Sequence, residues 1–389
     1  MDVLDVIRGV AVLGILLVNV YAFSGYDFIS EAARAALPMS RFDGLLDSVV
    51  GFLVEGKFYC LFSFLFGVGF SVFTQRASAR GSDATKVFKR RLTGLLLIGV
   101  AHSTLIWFGD ILATYAVLGF ALIPFLRRDD RTVLRWAAIM LLAPIALYAL
   151  LFGLAQFGPP PPPQTENGLP PILVTAIDGI AHGGYVDLVR GNVVFTIANV
   201  LRRLLLMFFP RVLGMFLLGF YAGRAGIFAN LDAHAALLRR VAAIGFAVGL
   251  PLSFLASEFS THGPRPPDLR GLGETVLQSL GTPALALAYA AALCLLYRRM
   301  PGPMHVLAPV GRMALTNYLA QSVAGVVIFY GIGFRMFGRV SLTVALAGAV
   351  VFFVLQMVAS RLWLSRALFG PAEWLWRAFT YRRRFALFR

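Results

Sequence analysis

Two residues in this sequence have the types and the spacing for proton transfer. His102 lies near the end of a long apolar stretch, and Asp110 follows it after the turn 107–109. Histidine is the side chain best suited to exchange a proton near neutral pH, and a carboxylate can hold its ring in one tautomer. Asp110 can return toward the His102 ring, which would give a general base with its orienting acid. The alternative is a structural hydrogen bond of a histidine inside a helix bundle.

The first apolar stretch carries three polar residues on one helical stripe. Asp5 and Arg8 are three residues apart, and Asn19 follows Arg8 at a spacing that brings it round an α-helix to within about 20° of Arg8. Charged and amide side chains inside a membrane are costly, so this stripe must face protein or water. The three residues are therefore candidate ligand contacts. An ion pair of Asp5 with Arg8 that fixes the end of the helix is the alternative.

The next apolar stretch opens with two charged residues, Glu55 and Lys57. They are candidates for substrate contact, or their long side chains simply reach out to water. Further along the same stretch, Gly67 and Gly69 favour close contact with a neighbouring helix.

A last polar group runs from Arg312 toward the middle of an apolar stretch that also contains Asn317 and Gln321. The two amides are spaced i,i+4 and share one helical face, where they predict either hydrogen bonds between helices or contacts to substrate. No Walker loop, dinucleotide fingerprint, nucleophile elbow or metal-ligand cluster occurs in the sequence. No metal site is expected.

These residues must be positioned by membrane helices, because the composition does not suit a water-soluble protein. Of 389 residues, 59% are hydrophobic and 14% are charged, and the mean hydropathy is +0.77. The net charge of +16 comes from short basic clusters between apolar stretches, which indicates membrane topology and not nucleic-acid binding. The sequence predicts an all-α integral membrane protein.

The apolar stretches predict ten transmembrane helices in one polytopic domain, 1–389. Most of the 35 Lys and Arg residues fall on the side of the first residue, so both termini are predicted to be cytoplasmic. The predicted spans are 6–24, 56–75, 88–108, 111–126, 135–157, 204–223, 241–257, 275–297, 309–329 and 342–362.

Three segments between or after these spans are distinct. The segment 158–200 opens with the proline run 159–163 and is predicted to be a long exterior loop. The segment 40–54 has an apolar face that suits a helix on the exterior interface, although an ordered loop fits it as well. The basic, aromatic segment 366–389 suits anchoring at an anionic cytoplasmic surface.

Several motifs resemble the YeiB family, also called domain of unknown function 418 (DUF418). They include Leu-Asp-Val-Ile-Arg-Gly at 4–9 and Gly-Arg-Met-Ala-Leu-Thr-Asn-Tyr at 311–318. The resemblance runs from one end of the chain to the other and implies a multi-pass protein of the bacterial inner membrane. The other matching segments are 55–58, 61–67, 101–102, 107–112 and 369–375.

This family is similar to a wider group of transmembrane acyltransferases, which includes the acyltransferase 3 family and the heparan glucosaminide acetyltransferase. The resemblance implies transfer of an acyl group from cytoplasmic acyl-coenzyme A, docked with help from Arg8 and Arg312, to an exterior glycan or lipid acceptor. In the acyltransferase 3 pattern a histidine follows the first-helix arginine by eleven residues. Asn19 occupies that position here, so His102 would have to supply the base.

Two other functions remain open from the sequence. The same polar residues could line the path of a transporter for a small metabolite or lipid. They could also stabilise a non-catalytic membrane scaffold, in which His102 and Asp110 have a structural role only.

Overall fold

The structure is a computed structural model, and its described residues are almost entirely helical. They form seventeen α-helices joined by turns and short 3-10 helices, with an isolated antiparallel bridge between Ala367 and Phe388. The prediction of an all-α protein is therefore confirmed. The structure describes residues 2–79, 83–157, 169–205, 208–259 and 267–389.

Helices α1 to α9 form the first part of the bundle. Their bounds are α1 Asp2–Ser24, α2 Glu31–Ala35, α3 Asp43–Leu53, α4 Lys57–Ala79, α5 Ala84–Leu105, α6 Leu112–Phe120, α7 Asp130–Ala155, α8 Pro171–His182 and α9 Tyr185–Leu205.

Helices α10 to α17 complete the bundle. Their bounds are α10 Phe208–Arg224, α11 Ala235–Phe259, α12 Leu269–Arg299, α13 Pro301–Met304, α14 Ala308–Arg312, α15 Ala314–Phe329, α16 Leu342–Arg366 and α17 Pro371–Tyr381.

Among the described residues, six helical segments are long and apolar enough to cross a membrane, which is typical of a multi-pass membrane protein. A seventh span results if α9 and α10, which are bent by 72° to each other, count as one. The predicted count of ten is not confirmed, because α6 has nine residues and α15 has sixteen. At 1.5 Å per residue, nine residues cover only about 14 Å, against about 30 Å of hydrocarbon.

The prediction that 158–200 is a loop is wrong for the part that the structure describes, since α8 and most of α9 lie within it. The exterior placement of this segment stays a prediction. Its proline run 159–163 lies outside the described residues. The helix α9 carries polar residues such as Asn192 on a face that packs against α5, and these residues lower its hydropathy below that of a recognisable span. Amphipathic burial, and not apolar length, forms this helix.

The predicted helix near 40–54 is present as α3, preceded by a 3-10 turn. Leu45 and Val49 on its apolar face are exposed, whereas Asp43 is buried. The Asp43 carboxylate accepts hydrogen bonds from the backbone N–H groups of Leu342 and Thr343, at 3.0 and 2.9 Å, and so caps α16. Placement of α3 at a membrane interface stays a prediction.

The two ends of the chain lie at the same end of the bundle. Arg312 pairs with Asp2 at 3.1 Å, and Glu373 of α17 accepts a hydrogen bond from the backbone N–H of Leu315 at 2.7 Å, at the start of α15. We refer to this end, which carries Asp2, as the cytoplasmic end, following the charge-based prediction, and to the opposite end as the exterior end.

Candidate active site

His102 and Asp110 come together because α5 ends between them. The backbone N–H groups of Ile106 and Trp107 both donate to the His102 carbonyl, at 3.0 and 2.8 Å, and the chain then reverses direction. This reversal places the Asp110 Oδ1 atom 2.9 Å from the His102 Nδ1 atom. The two side chains are 3% and 1% exposed, so the pair is closed off from bulk solvent.

The hydrogen bonds of Asp110 fix the tautomer of the His102 ring. Asp110 Oδ2 accepts from the backbone N–H of Ala113 at 2.7 Å, which holds the carboxylate at the start of α6. A carboxylate can only accept, so the His102 Nδ1 atom carries the proton and Nε2 presents its lone pair. The Nε2 atom is buried and forms no hydrogen bond with any described residue. This is the geometry of an oriented general base.

Aromatic rings surround the imidazole. The rings of Tyr318 and Trp107 lie 5.1 and 6.3 Å from it, and Phe23 packs against Trp107 at 4.1 Å, all measured between ring centroids. Helices α1, α5 and α15 therefore meet around His102. Such a wall excludes water and strengthens electrostatic interactions inside it.

Arg203, at the end of α9, is a site residue that the sequence interpretation missed. Its Nη1 atom donates to the Asp110 carbonyl at 2.8 Å and to Thr114 Oγ1 at 3.0 Å. The guanidinium thus fixes the turn that carries Asp110 and brings a positive charge beside the carboxylate. The sequence signal for this residue is the pair of arginines at 202–203, directly before the predicted span 204–223.

Arg211 is a second residue that was missed, although it lies inside the predicted span 204–223. It is 7% exposed, and its Nη1 atom donates to the Tyr59 hydroxyl at 3.0 Å and to Gln278 Oε1 at 3.5 Å. The Tyr115 hydroxyl donates to the Tyr59 carbonyl at 2.9 Å, which links this group to α6 beside the His102 pair. An arginine inside a predicted span is itself a functional signal.

At the cytoplasmic end, the stripe of the first helix is held by ion pairs. Arg8 Nη1 lies 2.5 Å from Asp5 Oδ1, and Arg312 Nε lies 3.4 Å from Asp5 Oδ2. A Cβ atom on Gly311 would lie 1.8 Å from the Asp5 carbonyl oxygen, so α14 packs directly on α1. The ion pair of Asp5 with Arg8, which the sequence offered as the alternative to ligand binding, is thus present in the structure. Contact of these two residues with a ligand stays a prediction.

These ion pairs do not lie near His102. Phe23 packs beside the His102 group, and fifteen residues of helix separate it from Arg8, which corresponds to about 22 Å. Asn19 lies between them on α1, is half-buried, and hydrogen-bonds to none of the described residues. The structure brings together His102 and Asp110, and separately Asp5, Arg8 and Arg312.

The two amides of α15 form bonds between helices. Asn317 Nδ2 donates to Ser360 Oγ at 3.0 Å, Gln321 Nε2 donates to Gln356 Oε1 at 2.8 Å, and Gln356 Nε2 donates to the Asn317 carbonyl at 2.9 Å. This network joins α15 to α16. The sequence predicted either hydrogen bonds between helices or contacts to substrate for these amides, and the structure shows hydrogen bonds between helices.

Glu55 and Lys57 behave differently from each other. Glu55 is exposed, as a side chain that reaches water would be. Lys57 is buried, with 4% exposure, and its Nζ atom donates to the Gly51 carbonyl at 2.8 Å. The lysine therefore turns back to α3 and does not extend to solvent, because the end of α3 offers an unpaired carbonyl within reach.

Within the part of the chain that the structure describes, no group of three or more His, Cys, Asp or Glu side chains could hold a metal ion.

Comparison with known proteins links the chain to uncharacterized bacterial proteins. The family model described as "Protein of unknown function (DUF418)" matches residues 222–383. The chain is 32% identical to "Uncharacterized protein YxaH" of Bacillus subtilis (strain 168) over 393 residues, which covers 97% of this chain and 94% of the relative. It is 29% identical to "Uncharacterized protein YeiB" of Escherichia coli (strain K12) over 403 residues, with 97% and 96% covered. No solved structure matches.

Proposed function

Because the chain belongs to the DUF418 family, whose description assigns no activity, we propose a function from its own geometry: acyl transfer within the membrane, from acyl-coenzyme A to a hydroxyl or amine acceptor. The observation that carries the proposal is the buried hydrogen bond between His102 and Asp110, which leaves His102 Nε2 unpartnered among the described residues.

In the proposed reaction His102 is the general base. Its Nε2 atom takes the proton of the acceptor hydroxyl while the hydroxyl oxygen attacks the thioester carbonyl carbon. The tetrahedral intermediate then collapses with cleavage of the carbon–sulfur bond, and the imidazolium returns its proton to the leaving thiolate. Asp110 remains ionised and stabilises the imidazolium through Nδ1. Atoms and charge balance without a metal or an external oxidant.

Arg203 acts as a positioning residue in this scheme. Its hydrogen bonds to the Asp110 carbonyl and to Thr114 join α9 to the turn before α6. The turn holds the carboxylate, and the carboxylate holds the imidazole. A displacement of this turn would misplace the base relative to the reacting atoms, and small misplacements are costly in oriented reactions.

The donor would enter from the cytoplasmic end. Arg8 and Arg312 lie there, about 22 Å along α1 from the His102 group, so the extended pantetheine arm of coenzyme A would have to follow this helix. Asn19 lies on the same stripe between the two ends and is half-buried without a partner among the described residues. Its amide can donate to and accept from the amide groups of that arm.

The test compares two histidine–aspartate pairs of the same protein. His102→Ala should lower thiol release from acetyl-coenzyme A, measured in nanodiscs with a panel of sugars, amino sugars and glycerolipids as acceptors, by about 10²- to 10⁴-fold. His182→Ala is the matched control, because His182 bonds to Asp178 at 3.0 Å but is exposed. Full activity of a folded His102→Ala variant would contradict the proposal, as would the absence of acyl transfer by the wild type.

One observation favours a transporter as a second candidate. The helices α9 and α10 are bent by 72° to each other, and interrupted helices often form the substrate sites of transporters. Substrate flux into proteoliposomes without any acyl donor would support this function over acyl transfer.

A further inference from the structure

Arg211 is a buried arginine that the proposed acyl-transfer chemistry does not use. It lies in the first turn of α10, with 7% of its surface exposed, and the rest of that helix is almost wholly apolar. A buried guanidinium is expensive to desolvate unless a charged or strongly polar partner compensates it. The groups around the Arg211 guanidinium therefore indicate the role of this residue.

The hydrogen-bond partners of Arg211 among the described residues are neutral. Its Nη1 atom donates to the Tyr59 hydroxyl and to Gln278 Oε1, and its buried Nε atom has no hydrogen-bond partner among the described residues. The carboxylate of Glu274 is linked to Arg211 through Gln278, because Glu274 Oε1 accepts a hydrogen bond from Gln278 Nε2 at 2.9 Å. The amide of Gln278 thus stands between the two charges, and Arg211 retains donors for an anion.

The Tyr59 hydroxyl adds a further donor. It accepts a hydrogen bond from Arg211, so its own proton can be donated to a bound group.

A second arginine, Arg203, contacts the aromatic pair that includes Tyr59. The Phe208 ring packs on the Tyr59 ring, with centroids 4.7 Å apart, and the Arg203 guanidinium lies 5.4 Å from the Phe208 centroid. Arg203 also contacts the turn that carries Asp110. Arg211 is therefore connected to the turn of Asp110 through the side chains of Tyr59, Phe208 and Arg203.

We propose that Arg211 and Tyr59 bind an oxyanion at the exterior end, and that this oxyanion is the phosphate or carboxylate of the acceptor substrate. Guanidinium groups bind both anions through parallel N–H donors, which explains why an arginine is retained in an apolar helix. Gln278 positions the guanidinium. The identity of the occupant as the acceptor rests on the proposed acyl transfer, whereas the anion site itself does not.

The experiment measures anion binding without an acyl donor. Detergent-purified protein is titrated with inorganic phosphate at constant ionic strength, and binding is followed by calorimetry and by the thermal midpoint. Wild type should bind saturably, and Arg211→Gln should lose the binding. Arg190→Gln is the matched control, because Arg190 is an exposed arginine with a long 3.8 Å contact to Asp187, and it should bind as the wild type does.

A second arm distinguishes a soluble anion from a lipid headgroup. The protein is exchanged into nanodiscs of phosphatidylcholine with or without phosphatidic acid, and the lipids retained after detergent extraction are identified by native mass spectrometry. Selective retention of phosphatidic acid by wild type but not by Arg211→Gln assigns a lipid phosphate. Binding of inorganic phosphate without such retention assigns a soluble acidic acceptor.

Equal phosphate binding by wild type and Arg211→Gln would overturn the proposal, as would the absence of binding to both phosphate and phosphatidic acid. If Arg211→Gln does not fold, Tyr59→Phe retains the arginine and should weaken phosphate binding about tenfold, the effect of one hydrogen bond to a charged group; unchanged binding would also overturn the site. His102→Ala should still bind phosphate, so failure of the anion site is distinguishable from failure of the acyl-transfer proposal.

Discussion

The two histidine–aspartate pairs of this protein differ in burial and hardly in distance. The Nδ1 to Oδ1 distance is 2.9 Å for His102 with Asp110 and 3.0 Å for His182 with Asp178. The first pair is almost fully buried, whereas the side chains of the second are 61% and 77% exposed. A hydrogen bond in a low-dielectric interior orients its partners strongly, while a solvated one contributes little. Only the buried pair is suited to hold a base in one tautomer.

This difference leads to a prediction for the carboxylate. Asp110→Asn should lower acyl transfer by about 10²- to 10⁴-fold, because a neutral amide neither stabilises the imidazolium nor selects the Nδ1–H tautomer. The measurement is the rate of thiol release at saturating acetyl-coenzyme A. Asp178→Asn is the control and should leave the rate unchanged. An Asp110→Asn enzyme as fast as the wild type would rule out an orienting role for this residue.

At the scale of the element, two helices pack with their backbones in contact. A Cβ atom on Gly67 of α4 would lie 2.0 Å from the Phe216 carbonyl oxygen of α10, and one on Gly219 would lie 1.9 Å from the Phe64 carbonyl oxygen. Small residues permit this approach, and dispersion contacts stabilise it where lipid removes most of the hydrophobic driving force. This packing carries Arg211 and Tyr59 to the same place.

Gly67 and Gly69 of α4 provide a test variant and a matched control for this packing. Gly67→Ala should lower the free energy of unfolding by about 1–3 kcal/mol, since the helices must separate to admit the methyl group. Gly69→Ala should leave it unchanged or raise it slightly, because nothing lies within 4 Å of a Cβ atom there and alanine favours helix. Thermal midpoints of both variants in the same nanodiscs test this prediction. Equal midpoints would contradict the assigned packing.

At the scale of the whole molecule, the C-terminal helix closes the cytoplasmic end. Glu373 of α17 accepts hydrogen bonds from the backbone N–H groups of Leu315 and Thr316, at 2.7 and 3.1 Å, and so caps α15. Trp376 Nε1 donates to the Arg91 carbonyl at 2.7 Å, which ties α17 to α5. Helices α5 and α15 carry His102 and Tyr318, so one terminal segment joins both helices of the candidate site.

Stability should depend on pH through Glu373. Burial raises the pKa of its carboxyl above the usual value of 4.5, and this outweighs the opposing effect of the hydrogen bonds from Thr316 and Leu315. The folded state therefore binds this proton more tightly than the unfolded state does. The resulting stabilisation is full below pH 4.5 and is lost as the pH rises through the raised pKa.

Glu373→Gln removes this titration. The thermal midpoint, followed by tryptophan fluorescence, should fall more for wild type than for Glu373→Gln between pH 4.5 and pH 7.5. The difference arises because only wild type loses the stabilisation that this one titrating group provides. Glu373→Ala should lower the midpoint at every pH, because it leaves the N–H groups of α15 without their cap. Parallel pH profiles of wild type and Glu373→Gln would contradict the assigned titration.

The sequence by itself determined the features that depend on local spacing. Apolar stretches required helices, because backbone polar groups must be satisfied inside lipid. Asp5 and Arg8 are one helical turn apart, and they form the ion pair that their spacing allows. His102 and Asp110 are eight residues apart across a tight turn, so little else is needed to bring them together.

Only the tertiary structure decided which distant residues join this pair. Arg203 and Arg211 lie 93 and 152 residues from their partners Asp110 and Tyr59. Contacts over such separations depend on which helix faces pack together. Lipid is as apolar as the protein interior, so hydropathy does not distinguish a buried face from a lipid-facing one. Hydropathy also predicted a loop where α8 and α9 lie, because polar residues of α9 such as Asn192 and Thr196 bond to the backbone of α5 and lower the hydropathy of this helix.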